Sequence, residues 1–140
     1  VLIPNLENRY GRKPVHSLSE IQLLQKHFPE NIRQFNVYYN DKIVAGTTIF
    51  ETKKVAHAQY ISATEQKQEL GSLDFLFNEL LSNVFKEKPF FDFGISNENR
   101  GRNLNKGLLY WKESFGARTI THEFYCIKTN NHNLLNDVLL

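Results

Sequence analysis

Val55-Ala56-His57-Ala58-Gln59-Tyr60-Ile61-Ser62 and Phe90-Phe91-Asp92-Phe93-Gly94-Ile95 are the two stretches that decide the fold. The first reads as a strand. The second is a short apolar run suited to a strand buried on both faces. Between them the period changes, and Leu73, Leu76, Phe77, Leu80 and Val84 trace a helical stripe. A strand–helix–strand step within one sheet is expected to be a right-handed parallel crossover. Upstream, Ile32 to Tyr39 alternates, with Phe35, Val37 and Tyr39 on one face. Asn40-Asp41-Lys42 is a tight turn, Ile43 to Glu51 a second strand, and Lys53-Lys54 the break before Val55. These three strands make an antiparallel meander. Ser17-Leu18-Ser19-Glu20 fits a capping box for a helix carrying Ile21, Leu24 and Phe28 and stopped by Pro29.

Downstream, Leu104, Leu108, Trp111 and Phe115 form another helical stripe, closed by Gly116. Thr119 to Lys128 alternates and is expected to be a final strand, with Leu134, Leu135, Val138 and Leu139 in a short terminal helix. The expected class is α+β, a mixed α/β architecture: an antiparallel meander followed by a parallel β-α-β crossover, with helices on both faces of one mixed sheet. Residues 1–30 read as an N-terminal arm and helix, and 31–140 as the main domain.

The chain has 140 residues, enough for one domain that buries a core without metal or disulfide staples. It is 41% hydrophobic and contains 11 Phe, which argues against disorder. Its 17 basic and 15 acidic residues leave a net charge of +2, too even for a dedicated DNA binder. Cys126 is the only cysteine, so a reducing, cytoplasmic setting is expected. No apolar run exceeds four residues, so no membrane helix is expected. The lack of Met and the start at Val1 suggest a processed chain or a piece of a longer protein.

Two polar loops follow the two decisive strands. Ser62 to Ser72 leads straight into a helix, where free backbone N–H groups and the positive helix end favour an anion. Gly71 would admit a phosphate to the backbone and Ser72 would donate to it; the plain alternative is an N-cap turn. After Ile95, Asn97, Asn99, Asn103 and Asn105 crowd together with Arg100 and Arg102. Ligands of open sheets bind outside the carboxyl ends of parallel strands, which places both loops at one cleft. Turn chemistry is the alternative reading of the asparagines.

These stretches, together with Leu104-Asn105-Lys106-Gly107-Leu108-Leu109-Tyr110-Trp111-Lys112-Glu113-Ser114-Phe115-Gly116-Ala117, resemble the GNAT superfamily of acyl-CoA acyltransferases, and within it a Fem-like branch. Asn105 and Gly116 keep the family's spacing on this helix, and Lys112 matches the Fem-like lysine four residues before the glycine. Gln68-Glu69-Leu70-Gly71-Ser72-Leu73 keeps the first four positions of the family's pyrophosphate loop and has Leu73 at the last. Lys112 stands where many members carry a general-acid Tyr. The resemblance implies a three-layer α/β/α fold and transfer of an acetyl or other acyl group from acyl-CoA to an amine, without a metal. It implies that Ser62, Thr64, Gln68, Gly71, Ser72, Asn97 and Asn105 bind the cofactor.

His57 and Glu98 are the candidate bases, Glu98 acting through water. Lys112 is expected to be a solvated lysine that reaches the acyl end of the cleft and steadies negative charge, with Trp111 anchoring its helix in the core. The acceptor is expected to be a small-molecule or peptide amine, and the partners to include neither DNA nor membrane. A homodimer, or pairing with a second GNAT-like domain, is a further expectation. The alternatives are an aminoacyltransferase using aminoacyl-tRNA and a non-catalytic half-domain. Cys126 alternates with Phe124 and is expected to be buried and inert.

Overall fold

In the computed structural model, which describes residues 14–128, helix α1 (Leu18–His27) leads into strands β1 (Ile32–Tyr39), β2 (Lys42–Glu51) and β3 (Val55–Ala63). A one-turn helix α2 (Lys67–Leu70) and helix α3 (Ser72–Glu79) follow, and α3 runs on into a wider π-type turn (Leu80–Val84). Strand β4 (Phe90–Asp92), the short hairpin β5 (Asn97–Glu98) and β6 (Asn103–Leu104), and helix α4 (Lys106–Ser114) complete the order. The sheet runs β1-β2-β3-β4, antiparallel up to β3 and parallel between β3 and β4. The mixed α+β class and the meander-then-crossover topology expected from the sequence are therefore present.

Local chemistry explains the boundaries. The Ser17 hydroxyl accepts from the Glu20 N–H, and the Glu20 carboxylate accepts from the Ser17 N–H at 2.6 Å, closing the capping box. Asn40 and Asp41 both take positive φ, 48° and 60°, the two-residue hairpin turn whose twist matches the strands it joins.

The register places Phe35 and Val37 of β1, Ala45 and Ile49 of β2, and Ala56, Ala58, Ile61 and Ala63 of β3 on one face. That face meets Leu76, Phe77 and Leu80 of α3 and Phe85 beyond it. Phe77 is the centre: it stacks on Phe93 at 5.2 Å and meets Trp111 edge-on at 5.2 Å. The Trp111 indole N–H donates to Asp74 at 2.8 Å, tying α4 to α3. Trp111 thus anchors its helix in the core, as its stripe indicated. Phe77, fully buried, contributes about 3–5 kcal/mol against Ala. On the opposite face His16 packs against Phe50 and Tyr60.

Three local expectations change. β4 ends at Asp92 rather than Ile95, because the chain bends at Gly94 with φ +71°. Leu104 belongs to the hairpin, not to the helix after it. Thr119 to Lys128 forms no strand, and Cys126 is exposed. Alternation alone does not make a strand; a partner edge must offer its backbone, and β4 offers three residues. The expected terminal helix and most of the arm lie outside the described residues.

Candidate functional site

β3 and β4 diverge. They pair only from Val55–Phe90 to His57–Asp92, while β3 continues to Ala63. Among the described residues, no strand therefore lies beside Ala58 to Ser62 on the β4 side. Gln59 sits in this stretch as a β-bulge, since Thr48 pairs with Tyr60 and Ile49 with Ala58. The divergence is held open by side chains. Asp92 Oδ1 accepts from the Gly94 N–H at 2.7 Å. Lys112 Nζ donates to the carbonyls of Gly94 at 2.9 Å and Ile95 at 2.7 Å.

Lys112 is only 5% exposed, which corrects the expectation of a solvated lysine. Burial pushes its ammonium down to about 8, against the pull of Asp92. It acts on backbone at the cleft's edge rather than presenting a free cation. Asp92 also reaches His57, whose Nδ1 lies 2.8 Å from Asp92 Oδ2. Burial pushes the Asp92 carboxyl up, but the Gly94 N–H, His57 and Lys112 together hold it below its ordinary value. His57 is a partly exposed imidazole oriented by a carboxylate, the arrangement of a general base. Sequence reasoning picked His57 and missed Asp92. The signal was present: one carboxylate in an apolar run, two residues before a glycine.

The other end of the gap is the Thr64–Ser72 loop. The Thr64 N–H donates to the Val44 carbonyl at 2.9 Å, fixing the loop's start. Gly71 adopts φ 56°, joining α2 to α3, and a Cβ there would meet nothing within 4 Å. The hydroxyl oxygens of Ser62, Thr64 and Ser72 are buried without a hydrogen-bond partner. Such a group costs about 1–3 kcal/mol when left unpaired. Thr64 just past β3 and Ser72 at the start of α3, beside an open glycine, fit an anionic ligand with several acceptor oxygens, whereas Ser62 faces the other side of the sheet. The first-turn amides of α3 add donors of the same sign. Gln68 lies exposed on α2.

The hairpin holds the remaining candidates. Asn105 Oδ1 accepts from the Leu108 N–H at 2.9 Å and caps α4, while its Nδ2 donates to Glu98 Oε1 at 2.9 Å. Glu98 is thus held by Asn105, and Asn97 is exposed. The structure brings His57, Asp92 and Lys112 together around Gly94, places Thr64, Gly71 and Ser72 along the β3–α3 connection, and turns Ser62 to the open face of the meander. It leaves Asn97, Glu98 and Asn105 on the hairpin. Among the described residues no cluster of His, Cys, Asp and Glu could hold a metal, and no helix is long and apolar enough to cross a membrane.

No protein-family model and no curated protein matches this sequence. Solved structures do. An aminoglycoside acetyltransferase from an uncultured soil metagenomic sample, in complex with sisomicin, matches with a TM-score of 0.57 and 19% identity over 91% of this chain and 86% of that one. A possible acetyltransferase from Clostridium difficile 630 gives 0.59 and 14% over the same shares. An integron cassette protein from the mobile metagenome of V. cholerae gives 0.51 and 16%, over 96% of this chain and 86% of that one. At these identities the likeness establishes the fold, which is the one these acetyltransferases share.

Proposed function

We propose that this chain is an N-acyltransferase of the GNAT type that moves an acetyl or other acyl group from acyl-CoA to an amine. The observation that carries the reading is the divergence of β3 from β4, ending in the unpaired hydroxyls of Thr64 and Ser72. The named acetyltransferases with this fold support it, as does Lys112, four residues before Gly116, for the Fem-like branch.

Acyl-CoA would supply the activated thioester. Thr64, Gln68, Gly71 and Ser72 would hold its pyrophosphate, and the β4-side edge of Ala58 to Ser62 would pair with its amide-bearing arm. The protein's own chemistry then concerns the amine, which must be neutral to attack. With Asp92 accepting from Nδ1–H, the His57 Nε2 lone pair is free to take the amine proton. Asp92 stabilises the imidazolium that results. Lys112 fixes the backbone from which Asp92 gains its Gly94 contact, so it acts as a positioning residue. Glu98 is the alternative base, acting through water.

Calorimetry and thermal melting with acetyl-CoA test this directly. At about a hundredfold excess over Kd the stabilisation is about 2.7 kcal/mol, a rise of several degrees in Tm. Absence of both binding and a shift at millimolar acetyl-CoA would defeat the enzyme reading and favour a domain that pairs with a second acyltransferase-like half.

A further inference from the structure

The open face of the meander carries a second built feature. Gln34, Asn36, Gly46, Thr48, Tyr60 and Ser62 line a cleft of about 190 Å³, room for about six waters or one sugar-sized ring. Its amides are fixed by a chain of hydrogen bonds. The Thr48 hydroxyl donates to Gln34 Oε1 at 2.6 Å, and Gln34 Nε2 donates to Asn36 Oδ1 at 2.8 Å. A Cβ on Gly46 would stand 2.7 Å from Asn36 Oδ1 and 3.0 Å from Gln34 Nε2, so a side chain there would displace this pair from its place against β2. Asn36 Nδ2 has no partner among the described residues. The Ser62 hydroxyl, on a residue 6% exposed, has none either.

The Tyr60 hydroxyl is already engaged by His16 Nδ1 at 2.8 Å, so Tyr60 offers mainly its ring. Among the described residues, no ionisable group other than this phenol lines the cleft. A charged ligand entering it would lose hydration without gaining a counter-charge, whereas hydroxyls and amides find matching partners. The register puts His57, Tyr60 and Ser62 on one face of β3. His57 and Tyr60 face Phe50 and Thr48, two residues apart on β2, so at about 3.4 Å per residue they lie about 7 Å apart along the sheet.

We infer that this cleft binds the acceptor's tail and that the acceptor is a monoamine with an uncharged, hydroxyl-rich tail, its nitrogen directed to His57. This rests on the acyl-transfer reading, but the cleft is testable separately. The probe is 2-aminoethyl β-D-glucopyranoside, compared with spermidine as a polycation and glycylglutamate as an acidic amine. Saturation-transfer NMR and titration without acyl donor should show the glucoside binding at least about tenfold tighter than either competitor. Asn36→Leu should weaken the glucoside by about tenfold and leave spermidine and the acetyl-CoA thermal shift unchanged. Thr48→Val, which frees Gln34, should weaken it by a smaller factor in the same direction. Equal affinity for spermidine, or glucoside affinity indifferent to both variants, overturns the inference. Loss of the acetyl-CoA shift in the unmodified protein defeats the acyl-transfer reading instead, and leaves the binding comparison standing as the measure of the cleft.

Discussion

Replacing Lys112 by Met removes the cation that reaches both carbonyls at the bend. The ammonium is held at about 8 when folded, against 10.5 ordinarily. At about 1.4 kcal/mol per unit, that gap corresponds to about 3 kcal/mol by which the fold disfavours the charged form. The folded value is the lower one, so between pH 8 and 10.5 the unfolded chain holds the extra proton. Stability from this group therefore rises with pH across that window, by up to about 1.4 kcal/mol per unit, and is flat below it. Contributions from the rest of the chain cancel when wild type is compared with Lys112→Met. Asp92, the carboxylate facing Lys112, stays ionised throughout. At pH 7 the variant escapes the ionisation cost but strands two carbonyls, each worth about 1.5–3 kcal/mol to a charged donor. The two effects nearly offset, leaving the variant about 0–3 kcal/mol less stable there. Urea unfolding of both proteins from pH 7 to 10.5 measures the difference directly. The wild-type advantage should grow by up to about 3 kcal/mol on the way up. A difference that stays flat would mean a solvated lysine and would refute the clamp. Turnover in Lys112→Met should fall by more than about tenfold, because Gly94 no longer fixes Asp92.

Asp92→Asn should lower kcat by about a hundredfold with little change in the Tm response to acetyl-CoA, since it disturbs the orientation of His57 and not the donor site; unchanged kcat would transfer the base role to Glu98. Gly71→Asn should keep Tm within a few degrees, because asparagine tolerates the left-handed backbone and its Cβ meets no neighbour. The same variant should abolish the acetyl-CoA thermal shift, and a retained shift would remove Gly71 from the phosphate contact. Cys126 should react with a thiol reagent within minutes in the folded protein, as its exposure demands; protection would place Thr119 to Lys128 back in the sheet.

What the sequence disclosed and what it concealed divide along the range of the interactions. Ser17 with Glu20, the Asn40-Asp41 turn and the Phe35–Val37 alternation are settled within a few residues, and each was legible. The hydroxyls at 62, 64 and 72 were legible as a loop before a helix, because strand end and helix start are local facts. His57 was legible as a histidine on a strand, but its partner was not. Asp92 becomes its neighbour only through the parallel register, which joins residues 35 positions apart.

Lys112 shows the limit most clearly. Helical spacing correctly set it two turns beyond Asn105. Where its side chain ends is decided elsewhere, by Gly94, whose positive φ turns two carbonyls toward α4. The bend that ends β4 early is thus also what buries the lysine. A strand continuing through Ile95 would close the gap beside β3 and direct those carbonyls into a ladder. On this account Gly94, Asp92 and Lys112 are one device: the glycine makes the turn, the aspartate holds its amide, and the lysine holds its carbonyls. His57 depends on that device for its orientation, which is why a helix residue and a strand residue belong to the same site.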